Sequence, residues 1–288
     1  MIRTSRIAAI AVCAAATALG GCATATSGHG AFASPASSAG VRATPSSASS
    51  SPTSTPGGSA STSGSPRGDA SRLAALLHQG VAALSSAHLT LALQAGAETV
   101  TASGDEKLAN AKLLALNITE KVTGFGSLRL LSVGGRTYVG LPAAQNRSGK
   151  PWVLVRATSR NSFVRILASS LASLQQSAGV AQYTAFVTAA EQVRLDGPAT
   201  VDGVPATHYS IVVDVRKLPT SSSSKQAIIR AGLSSIPVEL WVDGQGRPLK
   251  VTDTFSIAGQ TFATAATLSR FDAPLTIIAP PASQVDTS

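Results

Sequence analysis

The run Leu114–Tyr138, LALNITEKVTGFGSLRLLSVGGRTY, decides what kind of fold this chain can make. Leu114, Leu116 and Ile118 alternate with small or polar residues, and Leu128 and Leu130 flank Arg129. Each set reads as a strand with one apolar face. Ser132-Val133-Gly134-Gly135-Arg136-Thr137-Tyr138 reads as a hairpin, because Gly-Gly supplies the positive φ that a two-residue turn requires. Gly124-Phe125-Gly126 lacks the third glycine of a dinucleotide loop and lies between strands, so it reads as a turn.

The same period of two continues outward. Leu89, Leu91 and Leu93 alternate on the N-terminal side, and Trp152 to Val155 forms a further strand with Pro151 as its first residue. Alternation returns in Val193 to Leu195, Thr207 to Val215 and Val238 to Val242. The last of these leads through the turn Asp243-Gly244-Gln245-Gly246 into Leu249 to Ile257, followed by Thr261 to Phe271. Helical spacing appears in Leu73, Leu76, Leu77, Gly80, Val81 and Leu84. It appears again in Phe163, Ile166, Leu167, Leu171 and Leu174, capped at Asn161-Ser162 and stopped near Gly179. A helix through Tyr183, Phe186, Val187 and Ala190 and a short one near Ser224 to Ala231 complete the set. Strands in meander order with helices inserted as a block predict an α+β antiparallel sheet rather than repeated βαβ units.

The N-terminal quarter has a different character. Met1 to Arg6 carries Arg3 and Arg6, and Ile7 to Leu19 is apolar but too short to span a bilayer, as in a secretory signal peptide. Leu19-Gly20-Gly21-Cys22 resembles the lipobox of bacterial lipoproteins. That resemblance implies a signal peptide over residues 1–21, diacylglyceryl modification of Cys22, and a protein held on the outer face of the cell membrane by its lipid. From Ala23 to Ala70, 42 of 48 residues are Ser, Thr, Ala, Gly or Pro. Such a segment has too little to bury to offset its ordering entropy, so residues 22–70 are expected to be a lipidated cysteine and a disordered tether, of span about 40 Å as a flexible coil. One domain is expected over residues 71–288.

Composition bounds the chemistry. The chain is 44% hydrophobic, 13% charged and 4% aromatic, with 23 Lys and Arg against 14 Asp and Glu. The net charge of +9 arises from a scarcity of acids and no dense Lys/Arg block appears, so no nucleic-acid partner is expected. Cys13 leaves with the signal peptide, and the chain after Cys22 has no cysteine for a disulfide, zinc site or nucleophile. His78, His88 and His208 are isolated in sequence, and Glu98, Asp105 and Glu106 read as a solvated loop. Neither a Gly-x-Ser-x-Gly elbow nor a calcium-loop set of acids is present, and the two Asn-x-Ser/Thr triplets mean little behind a lipobox. The chain is therefore read as a non-enzyme without cofactor or metal, though a set assembled from distant residues is invisible at this level.

Val201-Asp202-Gly203-Val204-Pro205-Ala206-Thr207-His208-Tyr209, Ile236 to Asp243 followed by Gly246-Arg247-Pro248, Arg136-Thr137-Tyr138-Val139, and Phe271-Asp272 with Ile278-Ala279-Pro280-Pro281-Ala282 occur in this order. Together, from about residue 72 onward, they resemble the LppX/LprA/LprF/LprG lipoproteins of actinobacteria, with Thr207 and His208 adjacent here where that pattern separates them. The resemblance implies a LolA/LolB-like fold, a curved antiparallel half-barrel sheet with helices on its concave face around an apolar cavity. It also implies binding and carriage of an acylated lipid or glycolipid in the cell envelope. Candidate cavity residues are Leu91, Leu93, Leu116, Ile118, Leu128 and Leu130 on strands and Phe163, Leu167 and Leu171 on the inserted helix. The alternative is a structural or sensory envelope lipoprotein that binds a protein partner through the same fold. A receptor for an importer fits poorly, for want of paired α/β lobes.

Overall fold

The computed structural model describes residues 66–287 except 125, 144–145, 147, 160–163, 166–167, 169–180, 219–225, 227–228 and 258. Helix α1 (Pro66–Ala83) opens it and takes in Pro66 to Ala70, the last residues of the expected tether. Five strands follow: β1 (Ser86–Ala95), β2 (Glu98–Ala109), β3 (Lys112–Val122), β4 (Gly126–Val133) and β5 (Arg136–Gly140). After β6 (Trp152–Leu154) come helix α2 (Ala181–Thr188), β7 (Ala190–Val201) and β8 (Val204–Asp214). The chain ends with β9 (Ser235–Val242), β10 (Pro248–Ile257), β11 (Gln260–Ser269) and the two-residue β12 (Val285–Asp286).

The twelve described strands form one curved, unclosed sheet in the order β12-β6-β5-β4-β3-β2-β1-β11-β10-β9-β8-β7. Every pairing is antiparallel except β12 with β6. The α+β antiparallel reading therefore holds. The hairpin read at Gly134-Gly135 is present, with φ of 58° and 72°, the geometry that matches the right-handed twist of the flanking strands.

Two sequence expectations need correction. Glu98, Asp105 and Glu106 lie on β2, a full central strand, and Glu106 is only 3% exposed rather than solvated in a loop. Leu114 does not share the face of Leu116 and Ile118. Lys107 pairs with Ala115 but Leu108 with Leu113, so Leu114 is the extra residue of a β-bulge and stands 52% exposed.

The inner face is covered in two ways. Leu73, Leu77 and Val81 recur at helical spacing on α1 and are buried with Tyr183, Phe186 and Val187 of α2. The same cluster takes in Ala87 of β1 and Leu108 of β2 as well as Val193, Ile211, Val238 and Leu240 of β7–β9, so the sheet curls around the two helices. Each such side chain contributes about 1.5–3 kcal/mol by leaving water. A second cluster lines the inner face of β1–β6, with Val164 buried in it. Val164, Arg165 and Ala168 are helical, in agreement with the inserted helix, and Gln226, Ile229 and Arg230 are helical where the short helix was expected.

Helix α1 is seated on the β9–β10 turn through two glycines. A Cβ on Gly80 would overlap the backbone carbonyl of Gly246, and one on Gly246, at φ 80°, would overlap the carbonyl oxygen of Leu76. Gly80→Ala is expected to destabilise the fold by about 1–3 kcal/mol despite the better helix propensity of alanine. A lowered midpoint in denaturant unfolding would show this, and an unchanged midpoint would mean that the helix clears the turn.

Candidate functional site

Strand registers place the candidate residues in rows across the inner face. One row runs Leu89, Gly104, Ile118, Leu130, Val139 and Val153 across β1–β6. The next runs Ala266, Leu91, Ala102, Glu120 and Leu128, and a third runs Asp253, Thr264, Leu93, Val100 and Val122. Leu91, Leu116, Ile118, Leu128 and Leu130 are buried in one cluster, with half-buried Leu93 packed against it. Phe163, Leu167 and Leu171 lie outside the described residues. The strand candidates thus form one continuous aliphatic wall, with the short side chains of Ala102, Gly104 and Ala266 between its leucines.

Three carboxylates that sequence reasoning did not assign to this face interrupt it. Glu106, Glu120 and Asp253 are 3%, 1% and 3% exposed. Both oxygens of Glu120 and Asp253, and Oε2 of Glu106, are buried without a hydrogen-bond partner. Burial removes water from the charged form and pushes Glu106 up to about 7 and Glu120 up to about 8. Asp253 is pushed up to about 6 by burial, with neighbouring Thr264 pulling the other way. The Tyr183 hydroxyl on α2 is raised above its usual value, first by burial and then by Glu106 and Asp253, so it stays neutral. In sequence, the strict parity of β3 puts Glu120 on the face of Leu116, Ile118 and Val122, and that was the available signal.

The outer face corrects the reading of isolated histidines. His88 Nδ1 lies 2.6 Å from Asp105 Oδ1, and Ser103 Oγ lies 3.1 Å from His88 Nε2. That is the hydrogen-bond order of a Ser–His–Asp triad, formed across the β1–β2 register. An oxyanion hole needs free backbone N–H donors, whereas β1 and β2 are each paired on both sides, and Ser103 stands exposed on the open sheet. The trio, joined by Arg270 through Asp105 at 3.1 Å, is a surface polar network.

The second network is Asp196, His208 and Glu239, whose potential ligand atoms lie within 4.8 Å of one another. His208 Nε2 meets Glu239 Oε2 at 2.7 Å, Arg194 holds Asp196 at 2.9 Å, and Ser210 Oγ donates to Asp196 at 2.5 Å. The imidazole is stacked on Trp241 with ring centroids 4.3 Å apart. Every group in this set has a partner, which makes it a closed ion-pair network on β7–β9. His78 is exposed on α1.

The chain is similar to two mycobacterial lipoproteins. The solved structure of LppX from Mycobacterium tuberculosis is 17% identical, with 72% of this chain and 99% of that one covered at a TM-score of 0.47. LprF from Mycobacterium bovis is 18% identical, with 75% and 99% covered at a TM-score of 0.48. A complex of MucA and MucB from Pseudomonas aeruginosa is 17% identical over 75% of this chain and 60% of that one, at a TM-score of 0.35. No protein-family model matches the sequence, and no curated protein matches it. At these identities the functional reading rests on this chain's own residues.

The buried carboxyls give stability a definite pH dependence. In the unfolded chain each ionises near its ordinary value, while in the fold it keeps its proton to higher pH. Between pH 4.5 and about 8 the folded state therefore binds more protons, and stability falls as pH rises through that window by several kcal/mol in total. The thermal midpoint is expected to be higher at pH 5 than at pH 8, with a flatter profile in Glu120→Gln. A midpoint that rises with pH would contradict the burial of these groups.

Proposed function

We propose that this is a membrane-anchored lipoprotein that shelters the acyl part of a lipid or glycolipid against the inner face of its sheet. It then carries or presents that lipid at the outer face of the cell membrane. The observation that supports this most is the aliphatic wall across β1–β6, in which Leu91, Leu116, Ile118, Leu128 and Leu130 are buried in one cluster with no aromatic among its described residues. Flexible acyl chains match such a surface. Burying one chain of about sixteen carbons is worth on the order of 10 kcal/mol gross, enough to draw a lipid out of a bilayer when other costs are modest. A protonated Glu120 in the wall offers a hydrogen-bond donor suited to an ester or hydroxyl beside the chain.

The lipobox at Cys22 and the small-residue segment that follows support the location. Two or more acyl chains hold a protein far more firmly than one, and a tether of about 40 Å lets the domain reach the lipid surface and leave it. Among the described residues no helix is long and apolar enough to cross a membrane.

Native mass spectrometry of the protein purified from its host is expected to show a co-purifying lipid. Absence of any lipid, together with failure to take up added phospholipid or glycolipid, would contradict carriage. Separately, Cys22→Ala is expected to move the protein from the membrane to the soluble fraction, and unchanged membrane association would contradict the anchor.

A further inference from the structure

Charge is distributed very unevenly along this chain. Residues 121–190 contain eight basic residues (Lys121, Arg129, Arg136, Arg147, Lys150, Arg156, Arg160 and Arg165) and no Asp or Glu. They hold +8 of the net +9, so the rest of the chain, with 15 basic and 14 acidic residues, is almost neutral. This stretch builds β4–β6, whose outer face lies opposite the aliphatic wall.

On that outer face two arginines meet. Tyr138 pairs with Leu154, and Val155 N donates to Thr137 O at 2.9 Å, so the next position of the ladder sets Arg136 directly across from Arg156. Like charges directly opposite on adjacent strands are destabilising. Among the described residues no carboxylate relieves them: neither arginine has an ion-pair partner there, and Arg156 Nη1 donates to the carbonyl oxygen of Thr287 at 3.5 Å. Both are exposed, and both line a pocket of about 650 Å³ between β5, β6 and the C-terminal segment. Its lining includes the apolar Tyr138, Leu154, Val155, Pro280 and Val285, and among the described residues no acid lines it. Two forked donors beside an apolar lining make a receptor for an anion carried on an apolar body.

We propose that this pocket binds the phosphate headgroup of an anionic membrane phospholipid, with Arg136 and Arg156 as paired ligands for the phosphate. The two arginines lie on the outward side of β5 and β6, and the pocket sits at the β6 end of the sheet, where Val155 and Ala168 also line it. It would orient the domain with its β4–β6 end against the bilayer. The proposal rests on the membrane location proposed above but not on lipid carriage, and it predicts affinity for an anionic surface even without the acyl anchor.

The test uses residues 22–288 with Cys22→Ser, so that no acyl group contributes, in co-sedimentation with vesicles. The vesicles are phosphatidylcholine alone or equal parts phosphatidylcholine and phosphatidylglycerol. Binding is expected only to the anionic vesicles, and to fall about tenfold or more in Arg136→Ala/Arg156→Ala. Lys121→Ala, a basic residue on β3 outside the pocket, is expected to change it less than about threefold. The arginines are exposed, and an unchanged thermal midpoint in the double variant checks that its fold is intact. Equal binding to both vesicles, or an equal loss in Lys121→Ala and the double variant, would overturn the site. Complete competition by millimolar inorganic phosphate or glycerol phosphate would overturn the lipid source in favour of a free phosphate. Failure of these results leaves native-mass carriage intact, and failure of carriage leaves them intact.

Discussion

A sheet of twelve strands with one apolar face has to hide that face, and α1 and α2, of 18 and 8 residues, are too few to cover it flat. The rest of the structure follows from this shortage. The sheet curls, so that β1 and β2 on one side and β7–β9 on the other bury their inner residues against the same pair of helices. The close seat of α1 on the β9–β10 turn, where Gly80 and Gly246 bring two backbones together, fixes where the curl is anchored. Beyond the reach of α1 and α2, the inner face of β1–β6 forms its own aliphatic cluster. The proposed lipid site is therefore the part of the inner face that α1 and α2 do not occupy, against which Val164 of the inserted helix is buried.

That geometry also explains why three carboxylates can sit in the wall. A charged Glu120 would be very costly at 1% exposure, but a neutral one costs only its unmet hydrogen bonds. Such groups weaken a fold that has no use for them. In a wall that receives a ligand, a neutral carboxyl supplies a polar contact in an otherwise featureless aliphatic surface. The two faces of β4–β6 thus have opposite character: aliphatic inward at Leu128, Leu130, Val139 and Val153, basic outward at Arg129, Arg136 and Arg156.

Much of the sheet is legible in the sequence because period-two alternation is clean in β1, β4 and β8–β11. Strand β2 is not, since its inward positions are Val100, Ala102, Gly104, Glu106 and Leu108, a series in which small and acidic residues hide the pattern. Strand β7 reads only as Val193 to Leu195 because Gly197 and Pro198 break the run. As an edge strand it tolerates a proline that a central strand would reject. Leu114 misleads because a bulge cannot be seen without the partner strand. The strand leucines proposed for the site do fall on one face. Glu120 escaped notice because an acid is read as solvent-facing unless parity is allowed to overrule its charge. The Ser103–His88–Asp105 and Asp196–His208–Glu239 networks join residues that come together only through register.

The central claim, that an acyl chain lies against the inner wall, is tested most directly by a lipid with a photoactivatable diazirine near the end of its fatty-acyl chain. After uptake and irradiation, adducts are mapped by peptide mass spectrometry. The account predicts adducts on inward residues of β1, β3 and β4, such as Leu91, Leu116 and Leu128. Adducts confined to outward residues such as Tyr138 and Leu154, or a pattern scattered over both faces, would contradict it.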